Sequence, residues 1–114
     1  MKAVKLKSSR LFRVSERKMN LDECRQKIDR IDEGIVALLS ERAAAAREIG
    51  LLKAKAGLPV TDRGREIEIV DRVSRRSESA IGGDVVVRIY GEILLESRRI
   101  QNEVIAQLKA EAIR

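Results

Sequence analysis

From Cys24 onward, apolar or small residues recur at alternating steps of four and three: Cys24, Ile28, Ile31, Ile35, Leu38, then Ala45, Ile49 and Leu52. The place between Leu38 and Ala45 is held by Arg42. This spacing is the a/d seam of a helix laid along other helices. An arginine on such a seam leaves water at a cost of several kcal/mol, roughly, unless something anionic meets it. The pattern predicts a helical core built around an anion site. A buried pair between Arg42 and Glu41 or Glu48 of a partner chain is the alternative reading.

Asn20 is placed to cap this first helix, with Glu23 at the third helical position as in a capping box. The helix is expected to run to about Ala56, where Gly57 and Pro59 stop it. Gly34 and Gly50 lie inside it and weaken it a little. Some 35 residues at about 1.5 Å each make a rod of roughly 50 Å. A compact domain of this size is only about 35 Å across. One chain does not cover such a rod, so an intertwined homodimer is expected, with two long helices running along each other.

Thr61 or Asp62 caps a second helix reaching about Arg76. Ile67, Val70 and Val73 are expected to form its apolar side, with Ile69 flanking. Ser77 to Gly83 reads as a loop, given its serines and the Gly82-Gly83 pair. A third helix is expected from about Asp84 to Ala112, with the seam Val86, Tyr90, Ile93, Ser97, Ile100 and Val104. The fold class is therefore all-α, three helices per chain with a long first one.

Composition agrees with this. The 114 residues make one domain, with Pro59 as the only proline and Phe12 and Tyr90 as the only aromatics. Lone Cys24 excludes an internal disulfide or a cysteine metal cluster and suits a reducing cytoplasm. On the seam it reads as a small apolar residue. No apolar run reaches the roughly 18 residues of a membrane span. The net charge of +6 resides in Met1 to Asn20, where seven basic side chains face Glu16 alone; the other 94 residues hold 17 of each sign. Residues 1–20 thus read as a basic, flexible tail, with a targeting leader or a start at Met19 as other readings, and residues 21–114 as the helical domain. A globally basic nucleic-acid surface is not indicated.

The chemistry-bearing residues share faces. Arg42 and Lys53 are eleven apart, so they lie within about 20° of each other on the interior side of helix one. Arg25, seventeen before Arg42, is turned about 100° away, so only a partner chain would present it to the same pocket. Ser97 and Gln101 share a face of helix three. Asp62 and Glu66 share a face in the first turns of helix two, with Arg65 between them. Each has a plainer role: Arg25 as a solvated arginine, Lys53 at a helix C-terminus, Asp62 as an N-cap, Glu66 in an ion pair, and Ser97 and Gln101 as hydrogen-bond formers within a bundle. Together they set cations and neutral donors around one interior. The sequence has no histidine, no nucleophile with a base and no glycine-rich phosphate loop. Such a pocket suits a small dianion folded into one conformer, and a unimolecular rearrangement needs only orientation and donors aimed at an oxygen that gains charge.

Over about Leu21 to Gln101 the chain resembles the all-helical (AroQ-type) chorismate mutases. The residues that carry this are LDECRQKIDRIDEGIVALLSER at 21–42, Lys53, PVTDRGREIEI at 59–69 and ESRRIQ at 96–101. The opening and the P-V-x-D-x-x-R-E segment are specific as a set. The resemblance implies that Arg42 grips a substrate carboxylate and that Arg25 reaches the neighbouring subunit's site. It implies that Lys53 and Gln101 contact the ether oxygen of the breaking bond, and that Ser97 lies near a carboxylate. Asp62 and Glu66 match acidic positions near the ring hydroxyl, Glu66 more directly, and Arg65 matches a basic position close to the substrate. The implied reaction is the Claisen-type rearrangement of chorismate to prephenate, in phenylalanine and tyrosine biosynthesis. It uses no cofactor and no metal, in a cytoplasmic homodimer with neither nucleic acid nor membrane as partner. The basic tail lies outside the family's core, and Gly64 departs from a strong helix start.

Three rival readings stay open at this point. One is a lyase that removes pyruvate from isochorismate in a similar helical dimer. Another is a non-catalytic helical dimer whose basic arm binds nucleic acid or an acidic protein. The third is an accessory module that works when docked on another shikimate-pathway enzyme.

Overall fold

The computed structural model describes residues 19–77 and 80–113, and all of the regular structure among them is helical. Helix α1 is Leu21–Ala56, α2 is Arg63–Arg76 and α3 is Gly83–Ile113. The expected tail lies outside the described residues, apart from Met19 and Asn20. The chain divides into two units, Met1–Leu39 and Ser40–Arg114, with the boundary inside α1.

In the first unit, Asn20 caps α1 as expected, its Oδ1 accepting from the Glu23 amide at 2.8 Å. The seam residues Ile28, Ile31, Ile35 and Leu38 are 47% to 66% exposed in the single chain. Cys24, expected among apolar neighbours, is likewise exposed.

The second unit holds the core. Helix α1 ends at Gly57, whose φ of +68° is the left-handed conformation that glycine adopts without strain. Two hydrogen bonds close the turn, Gly57 N–H to Ala54 O at 3.3 Å and Leu58 N–H to Lys53 O at 2.9 Å. This is the Schellman end that the Gly57–Pro59 punctuation predicts. The side chain of Asp62 caps α2, accepting from the Arg65 amide at 3.0 Å. Helix α2 packs on α3. Ala46 from α1, Ile69 from α2, and Leu94 and Val104 from α3 are buried between the helices.

Two expected faces are turned. On α2, Ile67 is 67% exposed, and Ile69 is the buried residue, with Val70 and Val73 half-buried beside it. Two residues are about 200° of helix, so Ile67 and Ile69 cannot share a face. The inward stripe is Glu66, Ile69, Val70 and Val73, with a carboxylate where the sequence offered an isoleucine. On α3 the buried residues are Leu94, Gln101 and Val104. The inward line is thus Tyr90, Leu94, Ser97, Gln101, Val104 and Leu108. It shares Tyr90, Ser97 and Val104 with the expected seam and replaces Ile93 and Ile100 by their neighbours Leu94 and Gln101.

Candidate active site

A cavity of about 440 Å³ lies between the C-terminal half of α1, the start of α2 and the middle of α3. Its apolar wall includes Ala46, Ile49, Ile69 and Leu94. Helix α1 contributes Arg42 and Lys53, eleven residues apart and on one side of the helix as their spacing requires. Between them on that side lie Ala46 and Gly50, both buried and both small. A Cβ on Gly50 would meet the Cα of Gln101 at 3.1 Å, so the glycine lets α3 close on α1 at this level.

Arg42 is half-buried, and its Nη1 donates to the hydroxyl of Ser97. The Ser97 hydroxyl donates its own hydrogen bond to the Ile93 carbonyl at 3.1 Å, which leaves the hydroxyl oxygen as an acceptor toward Arg42. The Arg42 guanidinium carbon lies 6.0 Å from the centroid of the Tyr90 ring, at the outer reach of a cation–π contact. The guanidinium retains further N–H donors beyond the one given to Ser97.

Lys53 is held at both ends. Its carbonyl closes the Schellman turn, and its Nζ donates to the Val60 carbonyl at 2.6 Å. An ammonium has three donors, so two remain for another acceptor. Pro59 and Val60 thereby set where the lysine points.

Helix α3 places Gln101 one turn beyond Ser97. Gln101 is 7% exposed, and its Oε1 is buried with no hydrogen-bond partner among the described residues. An unpartnered buried amide oxygen costs about 1–3 kcal/mol. That oxygen is open to a donor, while the N–H groups of the same amide are the part that can donate to a ligand oxygen.

Asp62, Arg65 and Glu66 all line the same cavity. The Asp62 carboxylate caps α2, and Arg65 is exposed with its Nη1 3.6 Å from Glu68. Glu66 pairs with Arg98 across the helices at 2.7 Å. Arg72 also lines the cavity, so five basic side chains there meet two acidic ones. The field favours an anionic occupant.

Seven of the eight residues marked by the sequence therefore meet at one cavity; the eighth, Arg25, is exposed near the start of α1 in the Met1–Leu39 unit. Arg98 and Arg72 were missed, because an arginine outside a long apolar seam reads as a solvated one. The signal for Arg98 was its place next to Ser97, one residue off the inward line of α3.

Known proteins share this arrangement of sequence and fold. The sequence model of the family chorismate mutase type II matches residues 24–102. A bifunctional chorismate mutase/prephenate dehydratase of Aquifex aeolicus is 40% identical over 88 residues, 74% of this chain. The chain spans only 24% of the length of that relative. A chorismate mutase of Methanocaldococcus jannaschii is 28% identical over 88 residues, covering 76% of this chain and 89% of its own length. The crystal structure of the Helicobacter pylori chorismate mutase in complex with prephenate superposes with a TM-score of 0.68 at 30% identity. It covers 75% of this chain and 93% of that one.

Proposed function

The chain belongs to the chorismate mutase type II family, and we propose that its cavity converts chorismate to prephenate by a unimolecular Claisen-type rearrangement. The observation that carries this reading is the convergence of Arg42 and Lys53, each with donors left over, and of Gln101 on one net-basic cavity. Chorismate carries two carboxylates and an ether oxygen that gains negative charge as its C–O bond lengthens. No proton is transferred and no covalent intermediate forms, so the catalyst must supply shape and donors.

In this reading Arg42, steadied by Ser97, holds one carboxylate. Lys53 uses the donors that Val60 leaves free, and the Gln101 amide N–H adds a second donor to the ether oxygen. Glu66 accepts from the ring hydroxyl. Asp62 and Arg65 border the same end of the pocket. The buried part of the substrate packs on Ile49, Ile69 and Leu94, which exclude water and strengthen each charged contact.

The second carboxylate is assigned to Arg25 of a neighbouring subunit in a homodimer. Support comes from the aliphatic line Ile28, Ile31, Ile35 and Leu38, each at least 47% exposed in the single chain. Burying such side chains contributes about 1.5–3 kcal/mol apiece, and contiguous apolar surface of this extent marks an interface. No helix among the described residues is long and apolar enough to cross a membrane. A cytoplasmic setting fits a chain whose single cysteine has no internal partner.

The direct test incubates the purified chain with chorismate and follows the ultraviolet absorbance, with product analysis. Prephenate formation in the absence of any added metal or cofactor is the expected result. Inertness toward chorismate together with pyruvate release from isochorismate would replace the mutase by the lyase.

A further inference from the structure

The two acidic residues of the cavity are held in different ways. Asp62 gives its carboxylate to the backbone of its own helix. Glu66 gives both carboxylate oxygens, each at 2.7 Å, to the Nη1 of Arg98 on α3. The two side chains are 25% and 30% exposed. The other ion pairs among the described residues join positions three or four apart on one helix, with side chains at least half exposed. The Glu66–Arg98 pair is the one among them that ties two helices together.

Its position is as distinctive as its burial. Glu66 and Arg98 line the 440 Å³ cavity and also a second, more open groove of about 630 Å³ beside Thr61, Ile67 and Val70. With Leu94, the pair is common to the linings of both. A single guanidinium nitrogen equidistant from both oxygens fixes the direction of the carboxylate. It uses one acceptor position on each oxygen and leaves the others free for a hydroxyl. It also offsets a negative charge that would otherwise stand bare beside a dianion.

We infer that Arg98 is a positioning residue for the reaction: it holds Glu66 against the cavity so that this carboxylate receives the substrate's ring hydroxyl. The inference rests on the mutase reading and on the role of Glu66 within it. The Arg98 guanidinium acts through Glu66, so the two residues must behave as one unit.

The test is a double-mutant cycle of Arg98→Met and Glu66→Gln, assayed with chorismate, with thermal melts to verify folding. Arg98→Met should lower kcat/KM roughly 10- to 100-fold, the scale of a misplaced contact. Arg98→Lys should restore most of that loss. In the Glu66→Gln background, Arg98→Met should add little, because the contact it supports is already gone. Factors that multiply instead would reduce Arg98 to a structural role and overturn the inference. If Arg98→Met does not fold, Arg98→Gln takes its place in the cycle with the same outcomes. A loss in Glu66→Gln with none in Arg98→Met ends the role of Arg98 alone. Unchanged turnover in Glu66→Gln ends the assignment of Glu66, and with it that of Arg98.

Discussion

The Cα of Gln101 lies 3.1 Å from where a Cβ on Gly50 would stand. That contact is with backbone, so α3 itself would have to yield to a side chain there. Alanine in a helix interior is ordinarily worth about 0.5–1 kcal/mol over glycine. Gly91 on α3, with nothing within 4 Å of its own would-be Cβ, should show that gain when replaced by alanine. Gly50→Ala should forfeit it to overpacking, which costs about 1–3 kcal/mol. Because the displaced backbone carries Gln101, Gly50→Ala should also lower kcat by about tenfold or more. Urea midpoints and kcat of the two variants, measured side by side, check this; equal stabilisation by both would mean that the helices are not in register here.

Lys53 at the ether oxygen and Arg42 at a carboxylate should carry most of the chemistry. Lys53 is pinned by Val60 and Arg42 by Ser97, so neither owes its position to the substrate. Lys53→Ala and Arg42→Ala should each cost 100-fold or more in kcat/KM, roughly the value of one preorganised donor in a dry site. Both variants should fold, because each removes a charge from the cavity wall and leaves Ala46, Ile69, Leu94 and Val104 in place. Retained turnover in both would dissolve the assigned site.

A neutral amide also fixes the pH dependence. Gln101 does not titrate, so turnover should be nearly flat between pH 6 and 8. Gln101→Glu places a carboxyl at the same oxygen, and only its protonated form donates. That variant should gain activity as pH falls and lose it through neutrality. The pH profile of kcat for both proteins reads this directly. A steep loss in the parent chain over the same interval would argue against Gln101 at the ether oxygen.

What the sequence revealed and what it concealed divide along polar residues at inward positions. Arg42 was legible because the run from Cys24 to Leu52 is long enough to define a seam without it. The end of α1 and the start of α2 were legible because Gly57 and Asp62 have backbone reasons to stand where they do. Glu66 and Gln101 were marked as site candidates by their shared faces with Asp62 and Ser97, but the apolar seams were drawn around them, through Ile67 and through Ile93 and Ile100. The alternative α3 line through Leu94, Ser97 and Gln101 is equally periodic. It becomes the buried one because Gly50 admits Gln101 against α1. The Glu66–Arg98 pair was hidden for a related reason: the residues are 32 positions apart, and only packing reveals a partner at that separation.

Away from the cavity, Glu96 and Arg99 form an exposed pair at 2.7 Å, which Glu103 extends at 2.6 Å. Hydrogen bonding from Arg99 holds the Glu96 carboxyl below its ordinary value of 4.5; slight desolvation opposes this and the guanidinium charge reinforces it. A depressed carboxylate stabilises the fold above its unfolded pKa, and the effect fades as pH falls through the folded value. Exposed pairs are weak and screened by salt. Glu96→Gln should therefore lower the urea midpoint slightly at pH 7 and low salt. The difference should shrink as pH falls through the folded value, until the carboxyl is protonated in both states. Turnover should be unchanged. A gap that persists in acid would assign the effect to packing.

A site shared between subunits makes a sharper demand than any single substitution. Arg25 precedes Arg42 by seventeen residues, which turns it about 100° around α1, so the two cannot face one pocket from one straight helix. In a two-fold dimer each chain would give Arg25 to its partner's cavity. Arg25→Ala and Arg42→Ala homodimers then have no intact site. When the two variants are unfolded together and refolded at equal amounts, about half of the dimers should be mixed. Each mixed dimer combines one site lacking both arginines with one site lacking neither. The mixture should recover about a quarter of the parental turnover per chain, while each variant alone stays near background. Differently tagged chains allow the mixed dimers to be isolated and assayed. Mixed dimers as inactive as their parents would confine Arg25 to the surface of its own subunit.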